Sequence, residues 1–180
     1  MKQIKLFLVA AILPLLGFSQ SIFDKYEEMD NVGSVVVNKN MLNLLTSIGE
    51  MDSNPETQEF VNTAKNIDGI KVFITEDKSR AADMNTTVKK YLKSSKLEEL
   101  MRIKEKDMNV IFYVKNGKND NHVSELLMFV SGMKNKEIEI IDRKFETVLV
   151  SMTGDIDLNK IGQLTKKMNL PSHLNKVGDN

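Results

Sequence analysis

The chain has 180 residues, 25 basic and 25 acidic side chains, and neither Cys nor Trp. A charge so evenly balanced offers no field to a polyanion such as nucleic acid. The missing thiols exclude a Cys nucleophile, a thiolate metal site, disulfides and a lipid-modified cysteine anchor.

The chain opens with Lys2 and Lys5 and then thirteen uncharged residues, Leu6 to Phe18, followed by the small-x-small step Gly17-Phe18-Ser19. This is the layout of a secretory signal peptide, with cleavage near Ser19/Gln20 and an apolar run too short to stay as a spanning helix. Removing residues 1–19 leaves 23 basic against 25 acidic residues, a net of −2, and no further stretch approaches membrane-spanning length. The expectation is an exported protein, periplasmic or secreted, with no anchor in the mature chain.

Ser21 reads as an N-cap, with Ile22, Phe23, Tyr26 and Met29 on one side of a short helix. Asn31 to Asn38 reads as a strand centred on Val35, Val36 and Val37, and Met41, Leu44, Leu45, Ile48 and Met51 then follow at helical spacing. Pro55 opens a helix that places Phe60, Val61, Ala64 and Ile67 inward and ends at Asp68-Gly69. Ile70, Val72 and Ile74 alternate as a strand. Asp77 or Ser79 starts a helix aiming Ala81, Met84, Val88 and Tyr91 or Leu92 at the core, with a break near Ser94-Ser95 and a resumption through Leu97, Leu100 and Met101.

Val110 to Val114 is a continuous apolar run and reads as a central strand; Asn116-Gly117 begins a hairpin connection and Val123 to Val130 returns. Glu137–Asp142 and Phe145–Met152 are strand-like, divided by Arg143-Lys144, and Thr153-Gly154 stops the second. Asp157 caps a closing helix with Leu158, Ile161, Thr165 and Met168 on one face, and residues 171–180 form a loose tail. The pattern predicts one α+β domain over residues 20–170. Its sheet is mixed, of about five strands, with a C-terminal antiparallel meander and helices mainly on one face.

Few residues suggest chemistry. His122 falls in a polar hairpin tip beside Asn119, Asp120 and Asn121, with neither nucleophile nor orienting carboxylate evident, and His173 lies in the tail. Asp155 and Asp157 bracket Ile156 as a D-x-D pair, but two carboxylates are too few for a Ca²⁺ shell and the twelve-residue loop pattern is not met. Their plainer reading is a turn and a helix cap. The chain lacks a G-x-S-x-G elbow, a glycine-rich phosphate loop and an H-E-x-x-H spacing, so no catalytic, cofactor or metal site is assigned. Lys89, Lys90, Lys93 and Lys96 form the one local charge imbalance, and Lys89, Lys93 and Lys96, which share a helical face, are a candidate patch for docking a partner, although a solvated helix face is the plainer account.

Phe23-Asp24-Lys25-Tyr26, then Ser34-Val35-Val36-Val37 and Met41, and finally Ser151-Met152-Thr153-Gly154-Asp155-Ile156-Asp157-Leu158 together resemble the DUF4252 proteins, small exported proteins of Bacteroidetes. That resemblance implies envelope residence and lends no catalytic residue. Many relatives carry a lipobox cysteine, which this chain does not have. The leading functional expectation is a non-enzymatic interaction or binding module of the cell envelope with a protein partner. A carrier of a small apolar ligand in methionine-lined space is the alternative, although the plainer account of those methionines is that they fill the core. A hydrolase with an unfamiliar site is third.

Overall fold

The computed structural model describes residues 21–105, 108–132, 137–138 and 141–160. Residues 1–20 and 161–180 lie outside them, and with them the expected leader, the expected tail from 171 and all but residues 158–160 of the expected closing helix. A 3-10 turn at Asp24–Tyr26 leads into β1 (Gly33–Asn38), α1 (Lys39–Gly49), α2 (Pro55–Ala64), β2 (Ile67–Thr75) and α3 (Lys78–Ser94). There follow β3 (Glu98–Glu105), β4 (Met108–Asn116), β5 (His122–Ser131), the short β6 (Glu137–Ile138) and β7 (Ile141–Lys144), and β8 (Thr147–Asp157). The helix starts carry the expected chemistry. Asn38 accepts from the Met41 amide, Asn54 caps α2 with Pro55 behind it, and Asp77 accepts from the Ser79 and Arg80 amides.

Six strands form one sheet in the order β1-β2-β8-β5-β4-β3, and β6 and β7 pair separately. The mixed sheet of about five strands is thus six strands with every pairing antiparallel. Several local expectations change with it. Ser21 is not the cap residue of the first turn, where Phe23 stands in that place. Asp68-Gly69 does not end a helix, because α2 stops at Ala64 and both residues lie in β2. Leu100 and Met101 belong to an edge strand, since a register shift between Glu99 and Met101 disguises the alternation as helical spacing. The break after β7 falls at Phe145-Glu146, with Arg143 and Lys144 inside the strand. Gly154 does not stop β8. The strand runs through it, at φ 139°, to Asp157.

The register carries Phe73, Leu149 and Phe129 across one face. On them pack Phe23, Tyr26, Met84 and Val88, with Tyr91 and Leu92 at the margin. Full burial of such side chains contributes about 1.5–3 kcal/mol each, which makes this the main core. Tyr26 locks it with polar contacts: its hydroxyl donates to Asp83 at 2.7 Å and lies 2.8 Å from Thr87 Oγ1. Burial holds the Tyr26 phenol well above its ordinary pKa.

The other face bears Phe112, Val114 and Leu126, joined by Leu42 of α1 and Ala64 of α2. Helices therefore sit on both faces, α3 on one and the α1–α2 pair at one end of the other. Within α1 the inward residues are Leu42 and Thr46, while Met41, Leu44, Leu45, Ile48 and Met51 are exposed. The spacing was right for a helix. The side it buries is set by α2, whose Val61 packs so close to Gly49 that a Cβ there would lie 2.5 Å from it. Phe60, expected inward, is exposed as well.

Candidate functional site

His122 is the first residue of β5, paired with Asp157 on β8, and not a free loop tip. Its Nδ1 lies 2.5 Å from Asp155 Oδ1, and Lys118 donates to the other carboxylate oxygen at 2.5 Å. Asp155 is held in place because its backbone N–H donates to Asn66 O across the Gly154 bend. The Lys118 ammonium, followed by His122, pulls the Asp155 carboxyl below the usual carboxylate range. The orienting carboxylate that the sequence did not reveal is thus present, brought from a residue 33 positions away.

An open cleft lined by Asn119, Asp120, Asn121, His122, Asp157 and Asn159 adjoins this corner. Among the described residues no Ser or Thr hydroxyl bonds the imidazole. Nor do the described residues place three or more His, Asp or Glu to hold a metal ion. Asp157 accepts from the Asn159 amide at 3.0 Å, and residues 158–160 are helical, so its capping role holds.

One further titratable group is buried. Glu125, 7% exposed, accepts from the Tyr91 hydroxyl with both oxygens at 2.9 Å. Burial raises its carboxyl above the ordinary value, against the opposing influence of Tyr91 and Lys115. Its partner comes from α3, so this pair ties helix to sheet.

The lysine patch is looser than its spacing suggested. Lys89 and Lys93 are exposed on α3, whereas Lys96 lies beyond the helix end and its cap Ser95.

The two sheet edges differ sharply. The free edge of β3 carries Glu98, Glu99, Arg102, Lys104 and Glu105, with an Arg102–Glu99 ion pair and a register shift. Charges and bulges of that kind block the addition of another strand. β1 reads Gly-Ser-Val-Val-Val-Asn, with no charge, no Pro and an unbroken register. Val35 and Val36 are 56% and 43% exposed, one on each face of the strand.

The methionines form the other unusual surface. The α3-free face of the sheet carries Met101, Met108, Met128 and Met152 among Val35, Val72, Val110, Val148 and Val150, every one of them accessible. Only Met84 is fully buried among the described methionines. Met84 lies wholly in the core, as expected, and Met101, Met108, Met128 and Met152 pack half-buried against it from the other face.

The model of the family described as a domain of unknown function, DUF4252, matches residues 26–164. The chain belongs to this family. No curated protein and no solved structure matches it. The matched span starts at Tyr26, the residue that locks the main core, and takes in every strand of the six-stranded sheet. Ser151 to Leu158, one of the stretches behind the earlier resemblance, contains the bend at Gly154 and both acidic residues of the His122 corner. That stretch therefore has a structural reason for its composition. No helix among the described residues is long and apolar enough to cross a membrane.

Proposed function

We propose that this protein is an exported, non-enzymatic binding module of the cell envelope, whose partner docks by adding a strand along β1. The contrast between the two sheet edges carries the reading. A bare edge with outward Val35 and Val36 supplies main-chain hydrogen bonds and two apolar anchors, which is what strand addition uses. The oppositely built β3 edge is the internal comparison, since the same chain guards one side of its sheet and not the other. Export rests on the leader pattern of residues 1–19.

The test places a photo-crosslinking residue at Val36 and, separately, at Leu100 on β3, which is 44% exposed. Illumination of cells producing each variant should give a discrete, reproducible adduct from position 36 in the envelope fraction and none from position 100. Adducts of equal yield from both edges, or from neither, refute strand addition at β1. N-terminal sequencing that finds the uncleaved leader on cytosolic protein refutes the address.

A second reading, a carrier for a small apolar ligand, draws on the accessible methionines, because flexible polarisable side chains suit adaptable apolar binding. Native mass spectrometry of protein purified from its own envelope should then show a bound small molecule. A bare mass sinks that alternative.

A further inference from the structure

A bare strand edge is a template for any other bare edge, and every copy of this chain carries the same one. All six residues of β1 except Val37 are exposed, and none is charged or Pro. Nothing built into β1 therefore repels a second β1, whereas Glu98, Glu99, Arg102 and Lys104 guard the opposite margin of the sheet.

We propose that the strand added along β1 is β1 of a second copy of this chain, running antiparallel across a two-fold axis; the assignment rests on strand addition at that edge and names its partner. Symmetry sets the geometry. Two copies of one strand paired antiparallel are related by an axis perpendicular to the sheet, which returns each face to the same face of the continued sheet. Val35 and Val37 lie on the face of Val72 and Ile70, so Val35 meets the second copy's Val35 or Val37. On the other face Val36 meets the second copy's Val36 or Ser34. Pairs of β-branched side chains are among those that stabilise a sheet.

The surroundings of the strand ends agree with this pairing. α1 begins directly after β1 and packs through Leu42 on the face that carries Val37 and Ile70. Antiparallel pairing brings its first turn, residues 39–41, beside residues 31–33 of the other copy, at the far end of β1 and on the same face. That end holds an open cleft of about 720 Å³, whose lining includes Val32, Ile74, Glu76 and Phe145. Ile74 and Phe145 belong to the face that α1 uses, so the cleft opens toward the incoming turn. Met41, 48% exposed, is the apolar side chain of that turn and matches Val32, Ile74 and Phe145.

Charge is complementary at the same place. Lys39, held at 2.8 Å from Lys65 O and Ile67 O, brings a positive charge to the end of β1. The other end carries Asp30 and Glu76, both exposed and without an ion-pair partner among the described residues. The two-fold makes each of these contacts twice. It also closes the assembly: once β1 is paired, only the charged and bulged β3 margin is left, so addition stops at two copies.

Sedimentation velocity on the chain 20–180, across the micromolar range, should find a reversible dimer and nothing larger. Val35→Lys should raise the dissociation constant at least about ten-fold, with the circular dichroism spectrum unchanged, and Leu100→Lys on β3 should leave it as it is. A covalent readout does not depend on that variant folding. In either register the two Val35 Cβ atoms lie about 4.5–8 Å apart, so Val35→Cys in this cysteine-free chain should be bridged between copies by a short bismaleimide, and Leu100→Cys should not. A monomer throughout, a dimer indifferent to Val35→Lys, a ladder of larger species, or equal bridging from positions 35 and 100 overturns self-pairing. In cells, the photo-crosslinker at position 36 should give an adduct of twice the mass of the chain. An adduct with a different protein overturns self-pairing and leaves strand addition standing, and no adduct there refutes both.

Discussion

Gly154 offers the sharpest test of how this sheet is assembled. It lies inside β8 at φ 139°, opposite Ile67, where the β2–β8 register slips between Ile67 and Gly69. A Cβ built there falls 2.4 Å from Asn66 O, 2.8 Å from the Asp68 amide nitrogen and 2.8 Å from Ile67 Cα, all backbone atoms that cannot swing aside. Forcing a side chain into such a backbone region costs about 1–3 kcal/mol. Displacing β2 also endangers the Asp155 N–H to Asn66 O bond of 2.8 Å, a further loss of about 1 kcal/mol. Gly154→Ala should therefore destabilise by about 2–4 kcal/mol, a large part of the roughly 5–15 kcal/mol a domain has.

Gly33→Ala is the control. Its Cβ would meet only Ile74 O, at 3.7 Å, and its φ is not positive, so the change should be neutral or stabilise by up to about 1 kcal/mol. Urea unfolding followed by circular dichroism, the chain having no Trp, reads both variants on the chain 20–180. A Gly154→Ala loss below about 1 kcal/mol, or an equal loss for Gly33→Ala, would show that the bend is not set by backbone proximity.

Other expectations follow from the same contacts. Tyr26→Phe removes the hydroxyl shared by Asp83 and Thr87 but keeps the ring, and should cost about 1–3 kcal/mol in urea unfolding, because Thr87 is left buried without it. Glu125 has its carboxyl raised by burial, so the native state is penalised as pH climbs from the unfolded value through the folded one, and is not penalised below about pH 4. The stability of Glu125→Gln relative to the parent should accordingly rise from pH 4 to pH 8; a flat or falling difference counts against the burial argument. Asp83 is shifted the opposite way, chiefly by Lys25, so its contribution is present above the ordinary carboxylate pKa and is lost as pH falls. Asp83→Asn should lose most relative to the parent at neutral pH and little in acid. Met84→Ala, at a fully buried position, should cost about 2–5 kcal/mol, and Met51→Ala, on the exposed end of the α1 stripe, less than about 0.5 kcal/mol.

Periodicity and capping alone located most elements of this chain, because both are local properties of consecutive residues. Asp77 announced α3, and Met84 and Val88 fell on its inward side; Val110–Val114 and Val123–Val130 announced the central hairpin; Ile70, Val72 and Ile74 announced β2. The family resemblance was legible in the same short stretches. Pairing across the chain decided the rest. The β3 register shift turned Leu100 and Met101 from apparent helix into strand, and the backbone packed against Gly154 made a stop signal into the middle of β8.

The candidate sites depended still more on such distant contacts. His122 acquires Asp155 only because β5 lies beside β8, and β1 becomes an open edge only because β2 takes its one partner. The stripe Met41, Leu44, Leu45 and Ile48 shows the limit most plainly. Helical spacing says that an apolar side exists, and says nothing of which neighbour, α2 or another, will lie against it. Local sequence thus determined what most segments are. Tertiary packing alone decided what each segment touches, because contact free energy is gained between residues that the chain order keeps far apart.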